Sequence, residues 1–130
     1  MTSRLTEISV DARDPRRLAE FWAAVLDYRI LDEREDGLVE IGSWEPMVEA
    51  HRAGPRPPTI VFARVPEDKI VKNRLHLDVS PVDATRDAEV DSLIALGARR
   101  IDVGQGEQSW VVLADPGGNE FCVLRSLAAT

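Results

Sequence analysis

Cysteine occurs once in this chain, as Cys122, which excludes an internal disulfide and any cysteine-rich zinc site built from one copy. A lone thiol suits a reducing compartment. No apolar run reaches the 18 or so residues that would span a bilayer, so no membrane partner is expected. Residues Met1 to Glu7 have no apolar core of the kind found in signal peptides, so a cytoplasmic location is the default expectation. Excess positive charge is missing as well. The formal net charge is −7, and proteins that bind nucleic acid without sequence preference do so by neutralising phosphates, so no nucleic-acid partner is expected. Two lysines against 14 arginines read as base-composition bias in the source genome rather than as a recognition surface.

What is present is ordinary globular material. With 44% hydrophobic and 30% charged residues over 130 positions, the chain can build one core and one folded domain. A small molecule or a protein is the expected partner.

The chain contains an internal repeat. Leu5 to Ile30 matches Arg74 to Ile101 at a shift of about 69 residues, so that Glu7-Ile8-Ser9-Val10 corresponds to His76-Leu77-Asp78-Val79. Each copy reads as strand, turn, helix. The first helix opens with Asp14 as N-cap and Pro15 at its first position, then places Leu18, Phe21, Val25 and Leu26 on one stripe. The second runs from about Thr85 to Leu96 with Val90, Leu93, Ile94 and Leu96 as its stripe, and Gly97 ends it. Three strands should follow each helix: Tyr28 to Glu33, Gly37 to Ile41 and Thr59 to Val65, then Arg99 to Val103, Ser109 to Ala114 and Glu120 to Arg125. Breaker residues separate them, notably Gly104-Gln105-Gly106 and Asp115-Pro116-Gly117-Gly118-Asn119. The expected fold class is therefore α+β, two βαβββ modules over about 1–65 and 74–130 with a connector at 66–73. Ser43 to Pro58, rich in Pro and Gly, is expected to be irregular and to form a pocket rim.

Alternation along the strands separates two faces. Ile8, Val10, Leu77, Val79, Phe121 and Val123 form an apolar face suited to packing under helices. Glu7, Ser9, Asp11, His76, Asp78, Ser80, Glu120 and Cys122 fall on the other. A sheet covered on one side shows its polar side to water, which accounts for that face without any function. Three of its residues, Glu7, His76 and Cys122, are nonetheless types that ligate metals, and their convergence is a site hypothesis.

Four stretches carry a family likeness: Asp14 to Trp22, Lys72 to Val79, Leu96 to Arg99 and Leu113 to Leu124. The chain resembles the glyoxalase-like branch of the vicinal oxygen chelate superfamily. The resemblance implies a cupped, barrel-like eight-stranded sheet with helices outside, a central cavity, and a divalent metal held from the first, fifth and eighth strands. It also implies a homodimer, since sheet edges pair in this family. Lyase or isomerase action on an oxygenated metabolite is the implied activity, and non-catalytic sequestration of the bleomycin-resistance type is the alternative. His76 falls on the family's fifth-strand histidine, Glu7 where the first strand offers His or Gln, and Cys122 where the eighth strand offers glutamate. Glu7, His76 and Cys122 could then hold one ion of zinc, nickel, manganese or iron; the working assumption is a metal-free cavity, with His76 hydrogen-bonded to Asp78 or Glu7. Glu7 and Asp78 are the candidate catalytic acid and base, because a carboxylate in a partly apolar cavity can have a raised pKa. Cys122 reads as a small buried hydrophobe, Glu120 as a solvated turn residue, Trp110 as core, and His51 as an exposed loop residue.

Overall fold

The structure is a computed structural model that describes residues 2–101 and 110–128. It divides into two compact units, Met1–Asp68 and Lys69–Thr130, with the boundary inside the stretch 66–73. Each is described separately.

In the first unit, β1 (Glu7–Ala12), α1 (Pro15–Leu26), β2 (Arg29–Glu33), β3 (Val39–Gly42), α2 (Val48–Ala53) and β4 (Thr59–Arg64) form a four-stranded sheet of order β1-β4-β3-β2. β1 and β4 run parallel, which two strands cannot do through a tight turn; α1 and the β2–β3 hairpin supply the return path. The start of α1 follows from sequence chemistry. Asp14 accepts a hydrogen bond from the Arg17 backbone N–H at 3.1 Å, and Pro15 takes the first position, where no N–H is needed. The helix buries Leu18, Ala19, Phe21 and Trp22 and packs on β3 and β4, whose Val39, Ile41, Ile60 and Phe62 are buried too. Phe21 and Trp22 meet edge to face with centroids 5.3 Å apart.

The second unit repeats the plan with β5 (Asp78–Val79), α3 (Arg86–Leu96), β6 (Arg99–Arg100), β7 (Val111–Ala114) and β8 (Glu120–Val123), in sheet order β5-β8-β7-β6. β5 is parallel to β8, as β1 is to β4. Thr85 caps α3 by accepting from the Ala88 N–H at 3.1 Å, and Gly97, at φ 123°, closes it. Val90 and Leu93 are buried, as are Leu113, Phe121 and Val123.

Two βαβββ modules make the α+β fold class expected from the sequence. Several details differ. Residues 48–53 form a short helix within the stretch read as irregular; Met47 at its N-cap makes no side-chain cap and none of its residues is buried, so it carries neither of the usual signals. Ile94 and Leu96, assigned to the buried stripe of the second helix, are exposed, which narrows that stripe to Val90 and Leu93. The paired part of β5 is only two residues, shorter than the predicted 76–79. The expected turn at 104–106, and Val103 and Ser109 at the ends of two expected strands, lie outside the described residues. Among the described residues no helix is long and apolar enough to cross a membrane.

Candidate functional site

The site is built on the β5–β8 ladder. Asp78 stands opposite Cys122 and Val79 opposite Val123, with the Cys122 N–H donating to the Leu77 carbonyl at 3.0 Å and Leu124 N–H to Val79 at 2.7 Å. Since side chains alternate along a strand, burying Phe121 and Val123 turns Cys122 and Leu124 to the other face. Val112 joins them from β7, directly opposite Cys122. That face opens on a cavity of about 290 Å³, at the small end of the size range of ligand pockets. Its polar end is His76, Asp78 and Cys122, and its apolar wall is Trp110, Val112 and Leu124. Lys72 completes the lining.

One ligand atom from each of His76, Asp78 and Cys122 lies within 4.8 Å of the others. Donors around a tetrahedral zinc sit roughly 3.3–3.8 Å apart, given bonds of about 2.0–2.3 Å, so side-chain adjustments of about an ångström would gather these three on one ion. Imidazole, carboxylate and thiolate are all accepted zinc ligands, and three protein donors leave a position open for a ligand atom. The donor set therefore fits a divalent metal. Without one, burial pushes the Cys122 thiol above its ordinary pKa, and the Asp78 carboxylate adds to this through its charge and a hydrogen bond, with Lys72 opposing.

A second cluster holds the approach to this face in place. Between β7 and β8, Asp115 Oδ1 accepts from the N–H groups of Gly117 and Asn119, both at 2.9 Å, closing the Asp-Pro-Gly-Gly-Asn turn. Gly118 sits at φ 89°, a backbone region that disfavours side-chain-bearing residues. The turn presents Asn119 Oδ1 to Asn73 Nδ2 at 3.0 Å and is followed at once by Glu120. Glu120 is 7% exposed and accepts from Lys69 Nζ at 2.8 Å and from the Asn73 backbone N–H at 2.9 Å. Burial alone would raise its pKa; the Asn73 and Lys69 hydrogen bonds outweigh that and hold the carboxyl below its usual range. The segment 69–73, which leads to His76, is thereby tied to the first residue of β8.

Two sequence expectations are corrected here. Glu120, read as solvated, is a buried ion-pair partner, because Lys69 and Asn73 reach it from 51 and 47 residues away. Trp110, read as core, lines the cavity instead. Lys72 and Val112 join the site beyond the residues the sequence points to: Val112 stands opposite Cys122 on the ladder, a placement alternation could have signalled, whereas Lys72 lies outside any strand and carries no such signal. Glu7 is the exposed first residue of β1 in the other unit, paired with Thr59, whereas His76, Asp78 and Cys122 come together within the second unit alone. His51, expected in an exposed loop, is half-buried on α2, where Trp44 meets its ring at 5.0 Å and donates to the Pro57 carbonyl at 2.9 Å. These contacts tie Trp44 to both ends of the stretch from His51 to Pro57 within the first unit.

The fold and this site together define a class. A family model described as Glyoxalase-like domain matches residues 7–124, and the chain belongs to that family. No curated protein matches it. Among solved structures, it is similar to a glyoxalase/bleomycin resistance protein/dioxygenase family enzyme from Burkholderia phytofirmans PsJN, at 18% identity and TM-score 0.63 over 93% of this chain and 97% of that one. The fosfomycin resistance protein FosX from Mesorhizobium loti follows at 16% identity and TM-score 0.62, over 95% and 92%. A FosX mutant from Listeria monocytogenes, in complex with Mn(II) and 1S,2S-dihydroxypropylphosphonic acid, shares 15% identity at TM-score 0.61 over 99% and 93%. At such identities the likeness is one of fold.

Proposed function

We propose that this protein binds a small oxygenated molecule in the cavity of its second unit and transforms it by lyase or isomerase chemistry, with a divalent ion held by His76, Asp78 and Cys122. The observation that carries this reading is the approach of those three donor atoms to within 4.8 Å at the polar end of a cavity with apolar walls. When bound, such an ion would polarise a ligand oxygen and stabilise negative charge developing on it. The FosX neighbour from Listeria binds Mn(II); here a thiolate among the donors favours zinc over that harder ion. Trp110, Val112 and Leu124 would orient the ligand's apolar part and displace water from the polar end. Glu7 remains a candidate acid or base by the family pattern, but the donor set of this proposal does not use it.

A specific observation supports a second reading, capture without chemistry. In the absence of metal the Cys122 thiol keeps its proton, favoured by burial and by Asp78, and the cavity then offers a neutral sulfur and apolar walls. Elemental analysis of the purified protein separates the two. The first reading predicts about one zinc per chain, lost in His76→Ala and Asp78→Asn; metal-free protein that takes up none on titration leaves capture standing.

The proposal also takes the protein as a cytoplasmic homodimer. Its support is the reducing environment that suits a lone thiol and the exposure of Ile70, Val71 and Leu75 in the second unit, apolar side chains a second copy could cover. Analytical ultracentrifugation tests the dimer.

A further inference from the structure

The chain has two lysines, Lys69 and Lys72, three residues apart in the segment that leads to β5. Their situations differ. Lys69 is committed: its side chain is 19% exposed and its ammonium lies 2.8 Å from Glu120. Lys72 lines the cavity and, among the described residues, forms no salt bridge. It is also held in position, because the next residue, Asn73, is fixed twice, by its backbone N–H to Glu120 at 2.9 Å and by its side chain to Asn119 at 3.0 Å. An exposed lysine ordinarily sweeps a wide volume; here its backbone is anchored beside the cavity.

Charge accounting at the cavity gives that ammonium a task. Among the described residues, the only other charged side chain in the lining is Asp78. In the metal-bound reading a dication is neutralised by the Asp78 carboxylate and the Cys122 thiolate, and in the metal-free reading Asp78 is engaged with the Cys122 thiol. With the ion bound, the Lys72 ammonium is left as net positive charge; without it, Asp78 balances that charge but forms no ion pair with Lys72, so in both cases the ammonium stands beside an apolar wall with no salt-bridge partner among the described residues.

We propose that Lys72 is the anion-recognition residue of this cavity and that the ligand is a small organic anion, its charged group at Lys72 and its apolar body against Trp110, Val112 and Leu124. The inference rests on the pocket assigned under the proposed function but does not need the metal ion. A cavity of about 290 Å³ limits the ligand to one ring or a short chain in addition to the anionic group. Lysine is a point charge with rotatable donors and does not by itself choose between a carboxylate and a phosphonate, so the shared chemistry is a compact oxyanion.

Calorimetric titration of the full chain with cinnamate, phenylphosphonate and the neutral isostere cinnamamide tests this, in wild type, Lys72→Gln and Lys72→Arg, each with and without saturating zinc. The expected result is that at least one anion binds about tenfold more tightly than the amide, that Lys72→Gln abolishes the difference and that Lys72→Arg keeps most of it, as loss of one charge-assisted contact at an exposed site predicts. The preference should shrink with added salt. Which anion binds better identifies the oxyanion class. The proposal is overturned if the amide binds as well as both anions, if Lys72→Gln leaves the preference intact, or if no probe binds at millimolar concentration. Zinc uptake is read in the same samples, so an anion preference without zinc binding would refute the ion reading alone, and zinc binding without an anion preference would refute this one alone.

Discussion

The two units are copies of one backbone plan used for different ends. Ser9 pairs with Val61 on the β1–β4 ladder where Asp78 pairs with Cys122 on β5–β8, and Glu7 holds the repeat position of His76. The first residue of the closing strand is a buried polar group in both, Thr59 on β4 and Glu120 on β8. Thr59 donates its hydroxyl to Glu40 at 2.7 Å, a bond inside the sheet between neighbouring strands. Glu120 instead takes a cation and a backbone N–H from the incoming segment. The ladder geometry survives duplication because it depends on backbone hydrogen bonds and alternation. Side-chain chemistry is free to diverge, and among the described residues it is in the second copy that three metal-ligand types, His76, Asp78 and Cys122, come close together.

The contrast between Thr59 and Glu120 can be broken by mutation. Glu120→Ala should cost about 3 kcal/mol in urea unfolding, because it leaves Lys69 largely buried without its carboxylate and orphans the Asn73 N–H. Thr59→Ala should cost about 1 kcal/mol, the net value of one hydrogen bond. Equal losses would mean that the Glu120 ion pair adds nothing beyond the strand-end hydrogen bond of its counterpart.

The same pair has a pH signature. The folded-state pKa of Glu120 is depressed, so its contribution to stability is fully present above the unfolded glutamate range and is lost as pH falls through the lower folded value. Acid titration of stability should therefore show a limb in wild type that is reduced in Glu120→Gln; an unchanged limb assigns the acid sensitivity to other carboxylates.

Smaller effects are expected at two glycines. Gly118, at φ 89°, meets only the Lys69 Cδ at 4.0 Å in the place a Cβ would occupy, so Gly118→Ala should cost about 1 kcal/mol through backbone strain alone. Gly54 in the first unit has extended backbone and open space around it, and Gly54→Ala should be neutral or slightly stabilising. Thermal unfolding of the two variants orders them, and a larger loss at Gly54 would contradict the turn account.

The sequence carried the ladder and little of the clamp. Asp14-Pro15 and Thr85 are local signals, and both helices start where those residues place them. Alternation put His76, Asp78 and Cys122 on one face because parity survives any uncertainty in strand ends. The Lys69–Glu120 pair was invisible because it joins residues 51 apart with no spacing rule, and Glu120 beside a turn looks like any solvated carboxylate. Trp110 was read as core on size and hydrophobicity; only the fold shows that its wall faces a cavity. The α2 helix lacked both a cap and a buried stripe, so no periodicity announced it.

The central claim, that the donor chemistry belongs to the second unit and includes Cys122, is tested most directly by X-ray absorption at the zinc edge of the zinc-loaded protein and its Glu7→Gln variant. The account predicts one sulfur scatterer at about 2.3 Å with nitrogen and oxygen at about 2.0 Å in both proteins. A first shell without sulfur, or a zinc site lost with Glu7, would contradict it.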